Sequence, residues 1–147
     1  MADKSLIGRQ LSEGQVEVEK GRLRFFAKAT GQTDPVYTDE AAARAAGHPG
    51  LPVPPTFLVC LNTEVFNLRS ALKVLQMDLA RILHAEQSFV YHRMAYAGDT
   101  LHFQTQVADV YEKKGGTLQF VVNETRVTNQ RGEPVAELRS ALVERQA

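Results

Sequence analysis

The chain has a single cysteine, no excess charge of either sign and no long apolar run, and each shortage excludes a class of protein. Cys60 alone cannot form an internal disulfide. Seventeen basic and seventeen acidic residues cancel, which argues against binding of nucleic acid or an anionic membrane through bulk charge. No run approaches the roughly 18 apolar residues that span a bilayer, and residues 1–14 lack the apolar core of a signal peptide. We therefore expect a cytoplasmic protein with neither a nucleic-acid nor a membrane partner.

The remaining composition is that of an ordinary folded domain. Hydrophobic residues make up 44% of the 147 and charged residues 23%, a common balance for globular proteins. A chain of this size buries about 68–70% of its unfolded surface, so it can form a core without disulfides or metals. No linker, repeat or low-complexity tract divides it. We predict one domain over residues 1–147, with Cys60 as a small buried hydrophobe in the run FLVCL.

The first half of the chain has the pattern of helices and turns. Apolar residues near helical spacing predict a helix over residues 21–30, which Gly31 can end. Thr38 is a candidate N-cap for an alanine-rich helix that ends at Gly47. Asp34 precedes a proline, which favours an extended or turning backbone there.

A proline-rich segment and an apolar helix follow. Four prolines between residues 49 and 55 predict an ordered turn or a polyproline-like loop. Thr56 can then cap a largely buried helix with apolar residues Phe57, Leu58, Leu61, Val65 and Phe66. Residues 69–84 have a helical period, but a loop followed by a short strand fits them equally well.

The second half alternates between apolar and polar residues. Phe89 and Tyr91 are predicted to share one face of a strand, and residues 100–110 continue the alternation. Residues 114–116 are a hairpin turn signal between this strand and two more long ones, over 117–129 and 134–144. Long antiparallel strands with one polar face, wrapped around one buried helix, predict an α+β domain of the hot-dog type.

The loop FFAKATGQTDPVY carries a resemblance to a known family. It resembles the signature of MaoC-like, or (R)-specific enoyl-thioester hydratase, proteins, in which F-A-x-x-S/T-G-D-x-N-P-x-H contains a catalytic Asp and His. Gly31 and Pro35 match the pattern. The Asp position holds Gln32, the Asn position holds Asp34 and the His position holds Tyr37. Both dyad positions are therefore changed together.

Two later stretches extend the resemblance over nearly the whole chain. RILHAEQSFVYHRMAYAGDTLHFQTQV and VTNQRGEPVAELRSALV are similar to the N-terminal, dyad-lacking hot-dog domains of the family. The resemblance implies that this type of domain makes room for an acyl chain while a second domain supplies the chemistry. No pair of histidine, cysteine or carboxylate residues has metal-ligand spacing, so we expect no metal and no cofactor.

The resemblance implies that no complete catalytic dyad is present. In active members the Asp and His hold a water molecule and deliver a proton to the α-carbon of a 2-enoyl thioester, which requires an acid and a base in reach of one water. At Gln32 a neutral amide cannot act as the base. At Tyr37 a phenol, whose ordinary pKa is about 10, is a poor base at neutral pH.

Five residues are candidates for lining the substrate site: Asp34, Tyr37, Phe57, Leu61 and His84. Asp34 either replaces a dyad carboxylate or, as we favour, forms an Asx turn before the proline. Phe57 and Leu61 share a helix face, which either lines an acyl channel or is plain core. His84 either lines the thioester cleft or a partner contact, or is a packing residue at the entry to the sheet. For the helix face and for His84, both alternatives stay open.

We interpret the chain as the non-catalytic subunit of an (R)-type enoyl-CoA or enoyl-ACP hydratase (dehydratase). Its ligand is then an acyl-CoA or acyl-carrier-protein thioester, and exposed strand edges predict a homodimer or a heterodimer with a dyad-bearing hot-dog subunit. Two alternatives are a stand-alone homodimeric hydratase or thioesterase, and an acyl-CoA-binding protein without turnover. Arg93 could meet a CoA phosphate, although an arginine at a strand end is more often solvated.

Overall fold

One antiparallel sheet of five strands forms the centre of the fold. The computed structural model describes residues 3–146. The strands are β1 (Gln10–Glu17), β2 (Ile82–Tyr91), β3 (Thr100–Lys113), β4 (Leu118–Thr128) and β5 (Pro134–Arg145). They lie in the order β1-β3-β4-β5-β2. Consecutive strands β3, β4 and β5 form the predicted meander, while β1 and β2 are the two edges.

Within residues 3–146, four α-helices precede the long strands: α1 (Lys20–Ala29), α2 (Glu40–Ala45), α3 (Phe57–Val65) and α4 (Leu68–Leu75). Short 3-10 helices span Lys4–Leu6, Pro35–Tyr37 and Leu79–Arg81. Gly31 follows the end of α1 with a φ of +70°, a left-handed conformation that glycine adopts without a Cβ clash. The predicted stop of the first helix is therefore confirmed.

The core lies between α3 and the inner face of the sheet. Phe57, Leu58 and Leu61 of α3 are buried against strand residues that include Leu101, Phe103, Val127 and Leu138. A second buried cluster places Leu72 and Leu75 of α4 over Val107, Val110, Val121 and Leu142. The sheet thus holds α3 over one part of its inner face and α4 over another.

Close approach of α3 to the first strand requires a glycine. A Cβ atom at Gly14 of β1 would lie 3.0 Å from Cγ1 of Val65, closer than side-chain carbons normally pack. The absence of a side chain at Gly14 lets the end of α3 contact the strand.

The predicted face of β3 is confirmed. Leu101, Phe103, Thr105 and Val107 are all buried, as the alternation required. The ambiguous residues 69–84 contain both predicted elements, since α4 ends at Leu75 and β2 begins at Ile82.

Some local predictions are wrong. No element was assigned to the residues before the first helix, yet β1 occupies residues 10–17. The N-cap of α2 is Asp39 rather than Thr38, because Oδ1 of Asp39 accepts the Ala41 N–H at 2.8 Å. Cys60 is half-buried at the rim of the core rather than fully buried. Within residues 3–146, no helix has the length and apolar character to cross a membrane.

Candidate functional site

The loop that resembles the family signature has an ordered backbone. After α1, the Gln32 N–H donates to the Ala27 carbonyl at 2.9 Å, and Thr30 Oγ1 donates to the Phe26 carbonyl at 2.9 Å. The chain then enters the 3-10 helix Pro35–Tyr37. These bonds attach the start of the loop to the last turn of α1.

Two of the substituted side chains bind the loop's own backbone. Gln32 Oε1 accepts the Asp34 N–H at 3.0 Å, and Asp34 Oδ1 accepts the Val36 N–H at 3.1 Å. The second bond caps the 3-10 helix, which is the Asx-type arrangement favoured for an Asp before proline. Gln32 and Asp34 are both exposed. Their oxygens therefore serve the local fold of the loop.

Tyr37, at the third substituted position, lines a pocket of about 270 Å³. The pocket lies among the loop, α3, the end of β2 and the start of β5. Its walls are mostly apolar and comprise Tyr37, Val53, Pro55, Leu58, Tyr91, His92, Arg93, Met94, Ala95 and Val135. An apolar concavity with a few polar groups is the usual form of a small-molecule site.

Polar groups at the pocket are held by neighbouring residues. Tyr91 donates its phenol hydrogen to the Pro55 carbonyl at 2.6 Å, and partial burial of the phenol raises the pKa of Tyr91 above its ordinary value. His92 Nε2 lies 3.3 Å from Oε2 of Glu137. The tyrosine bond joins the end of β2 to the proline-rich segment and so fixes one wall of the pocket.

The proline-rich segment forms a wall because it pairs with the chain beyond β2. The Val53 N–H donates to the Ala95 carbonyl at 2.9 Å, and the Ala97 N–H donates to the Leu51 carbonyl at 2.9 Å. Pro52 forms an isolated bridge with Tyr96. This pairing is consistent with the extended loop predicted for residues 49–55.

The other predicted site residues lie elsewhere. Phe57 packs on Phe26 with ring centroids 4.9 Å apart, and Leu61 is fully buried in the same cluster. Leu58, one residue along α3 from Phe57, contributes to the pocket instead. His84 is exposed on β2 at the point where the register with β5 shifts. Lining roles for Phe57, Leu61 and His84 stay predictions.

Several pocket residues were missed by the sequence argument. Leu58 was assigned only to a buried helix, and Tyr91 only to a strand face. Val53 and Pro55 were assigned to a rigid loop. The available signal was the alternation of Leu51 and Val53 with prolines, since period-two apolar residues indicate an extended segment with one face packed.

The arrangement offers an apolar binding surface with a few polar groups at its rim. Among residues 3–146, no three histidine, cysteine, aspartate or glutamate side chains are grouped to hold a metal ion. The pocket provides apolar surface, with phenol, imidazole and guanidinium groups at Tyr37, Tyr91, His92 and Arg93.

Comparison with known proteins decides the family. The model of the FAS1-like dehydratase domain region matches residues 5–138. The chain belongs to this FAS1-like dehydratase family. A UPF0336 protein of Saccharopolyspora erythraea is 35% identical over 144 residues, which cover 97% of this chain and 91% of the relative.

Solved structures similar to this FAS1-like dehydratase domain are MaoC-like proteins of the hot-dog fold. The truncated HadBC (3R-hydroxyacyl-ACP dehydratase) complex of Mycobacterium tuberculosis matches with a TM-score of 0.80 and 27% identity, over 94% of this chain and 96% of that chain. A MaoC-like dehydratase matches with a TM-score of 0.79 and 26% identity, over 95% of this chain but 43% of that chain. The predicted resemblance and the hot-dog fold are confirmed.

Proposed function

We propose that this chain binds acyl thioesters as the dyad-lacking subunit of an (R)-type enoyl-thioester hydratase or dehydratase. The observation that carries the proposal is the state of the signature loop. Gln32 and Tyr37 occupy the positions that resemble the catalytic dyad, and the Gln32 amide oxygen is bonded to the loop backbone. The acid and the base must then come from a second chain.

The apolar pocket supports binding of an acyl group by this subunit. Tyr37 lies at its wall, so the pocket adjoins one of the two positions that resemble the dyad. Hydration adds a hydroxyl to the β-carbon and a proton to the α-carbon of the enoyl thioester. In the proposed assembly the partner's dyad acts on these two carbons, and the acyl tail lies in the pocket of this chain.

The exposed edge of β2 supports pairing with another subunit. Leu83 and Val90 on this strand are 60% and 54% exposed. Large apolar side chains that are exposed on an edge strand favour association with another chain. We propose that β2 continues the sheet into a homodimer or, for catalysis, into a heterodimer with a dyad-bearing hot-dog chain. HadBC, which is similar to this chain, is a complex. A MaoC-like dehydratase of which this chain covers 43% has room for a second domain of similar size.

Turnover of crotonyl-CoA by the purified chain tests the missing dyad. A general acid or base contributes typically 10²–10⁴-fold, so we expect little hydration by the wild type. The triple variant Gln32→Asp, Asp34→Asn, Tyr37→His restores the family pattern and should gain activity. Asp34→Asn alone is the matched control, because its amide oxygen can still cap the 3-10 helix.

Wild-type turnover in the ordinary enzyme range, about 1–10³ s⁻¹, would overturn the proposal. Copurification from the native host tests the partner, and a dyad-bearing hot-dog chain is the expected companion. A chain that binds acyl-CoA tightly with neither turnover nor a companion would instead be a binding protein.

A second candidate function, a hydratase or thioesterase acting alone, is favoured by one observation. His92 lines the pocket, and its Nε2 lies 3.3 Å from the Glu137 carboxylate, which can orient an imidazole that acts as a general base. His92→Gln discriminates between the candidates. If the wild type has substantial turnover and His92→Gln loses it, the second candidate is favoured. If turnover is low in the wild type and equally low in the variant, the first is favoured.

A further inference from the structure

A second concavity opens beside the apolar pocket. The two share Arg93 and Met94 as a common wall. The second one, of about 510 Å³, is lined mainly by polar surface and includes Tyr96, Asp99 and Arg131. We call it the arginine groove. An apolar pocket and a polar groove on either side of a common wall fit a ligand with an apolar end and a polar end.

One carboxylate holds both arginines at this groove. Arg131 Nε lies 2.8 Å from Oε2 of Glu133, and Arg93 Nη2 lies 3.5 Å from Oε1. Asn129 Nδ2 donates to Oε2 of Glu133 at 2.7 Å. The bonds from Asn129 and Arg131 hold the pKa of Glu133 below its usual value, with a smaller contribution from Arg93. The carboxylate therefore stays ionised at neutral pH and orients both guanidinium groups.

Both guanidinium groups remain accessible to a ligand. The side chains of Arg93 and Arg131 are 51% and 61% exposed. Each guanidinium has five N–H donors in a planar fork, of which the Glu133 carboxylate can occupy only some. Phosphate oxygens match that fork in geometry and charge.

Acidic groups offset the positive charge of the two arginines at the groove. Asp99 accepts the Tyr96 N–H through Oδ2 at 2.9 Å and the Gln130 amide through Oδ1 at 2.9 Å. Two arginines are thus balanced by two carboxylates. A free phosphate ion should bind weakly at such a site, whereas a phosphate tethered to an apolar group in the adjoining pocket gains from both contacts.

We propose that Arg93 and Arg131 bind the phosphate of a phosphopantetheine arm whose acyl group occupies the apolar pocket. The inference rests on the proposed function, because it needs an acyl thioester in that pocket. Acyl-CoA and acyl carrier protein both contain this phosphate, so the site would bind the group that the two carriers have in common.

The test is a binding cycle with the full-length chain in the oligomer in which it purifies. Calorimetry compares the hexanoyl thioesters of pantetheine and of phosphopantetheine on the wild type and on Arg93→Gln/Arg131→Gln. We expect the phosphate to strengthen wild-type binding about tenfold or more, because charge-assisted hydrogen bonds are the strong ones. In the double variant this gain should fall to about twofold or less. Arg139→Gln, at an exposed position in β5, is the matched control and should keep the full gain.

The possible failures separate the two proposals. Equal phosphate gains in the wild type and the double variant would overturn the phosphate site and leave acyl-thioester binding intact. Failure of both thioesters to bind the wild type would overturn the proposed function together with the site. If the double variant does not fold, Arg131→Gln alone, at a surface turn, provides the same comparison.

Binding of hexanoyl-CoA distinguishes the phosphopantetheine phosphate from the adenosine phosphates of CoA as the group that the arginines bind. A gain of the same size as for phosphopantetheine, lost in the double variant, supports the shared phosphate. A gain seen only with hexanoyl-CoA would place its adenosine phosphates at the arginines and overturn the assignment.

Discussion

Neighbouring residues of α3 face two different regions of the molecule. Phe57 and Leu61 pack in the core with Phe26 and the sheet. Leu58 is buried in the same cluster but also forms part of the pocket wall beside Tyr37. One residue step turns a helix by about 100°, which is enough to separate packing from ligand contact. The comparison teaches that the apolar character of this helix does not identify which face meets a ligand.

Phe57→Ala should have the largest effect on the core side. Truncation of a buried phenylalanine costs about 3–5 kcal/mol, because it removes apolar contacts and leaves a cavity. Chemical denaturation measures the loss, and the chain-length preference of the assembled complex should not change. A small loss of stability with a shifted preference would instead make Phe57 a channel wall.

Leu58→Ala should cost less and change binding. We expect a loss of about 2 kcal/mol, at the low end for buried leucines, because the space left opens into an existing pocket. Binding of acyl thioesters measured on the same protein should shift toward longer chains. Leu61→Ala is the matched control on the core side, and a similar shift in that variant would remove the distinction between the two faces.

Tyr91→Phe should have a smaller effect, confined to the pocket wall. It removes the hydrogen bond to the Pro55 carbonyl, and such bonds contribute about 0.5–1.5 kcal/mol. Burial raises the pKa of Tyr91. The contribution of the protonated Tyr91 phenol to the free energy of unfolding is therefore complete below the ordinary phenol pKa of about 10. It is lost as the pH rises through the folded-state value.

Urea unfolding near pH 8 and above pH 10 measures this contribution. The wild type should lose more stability than Tyr91→Phe between the two conditions. Equal losses in the two proteins would mean that ionisation of the Tyr91 phenol does not change the stability of the fold.

Met94→Ala should have the smallest effect on stability. The side chain is 48% exposed, and substitutions at such positions usually change the free energy of unfolding by less than about 0.5 kcal/mol. Met94 nevertheless lies where the pocket meets the arginine groove, so calorimetry should show weaker binding of acyl thioesters. Unchanged affinity would remove Met94 from the site.

The outcomes of the sequence predictions follow from the range of the interactions involved. The stop of α1 at Gly31 and the turn at residues 114–116 depend on local backbone preferences, and both are present. The alternation of β3 is also a local pattern. β1 was missed because QLSEGQVE contains few apolar residues, and it becomes a strand by pairing with β3, where Gln15 lies opposite His102.

The sequence by itself determined the family, the antiparallel meander and the buried helix, while the replacement of both dyad side chains stays a prediction from the resemblance. Each depends on residue identity, local spacing or order along the chain. Only the tertiary structure decided which side chains share a site. The pocket joins Tyr37, Leu58 and Met94, and the arginine groove joins Arg93 to Arg131 through Glu133. These contacts form when distant segments fold together, and no periodicity in the sequence encodes distances between them.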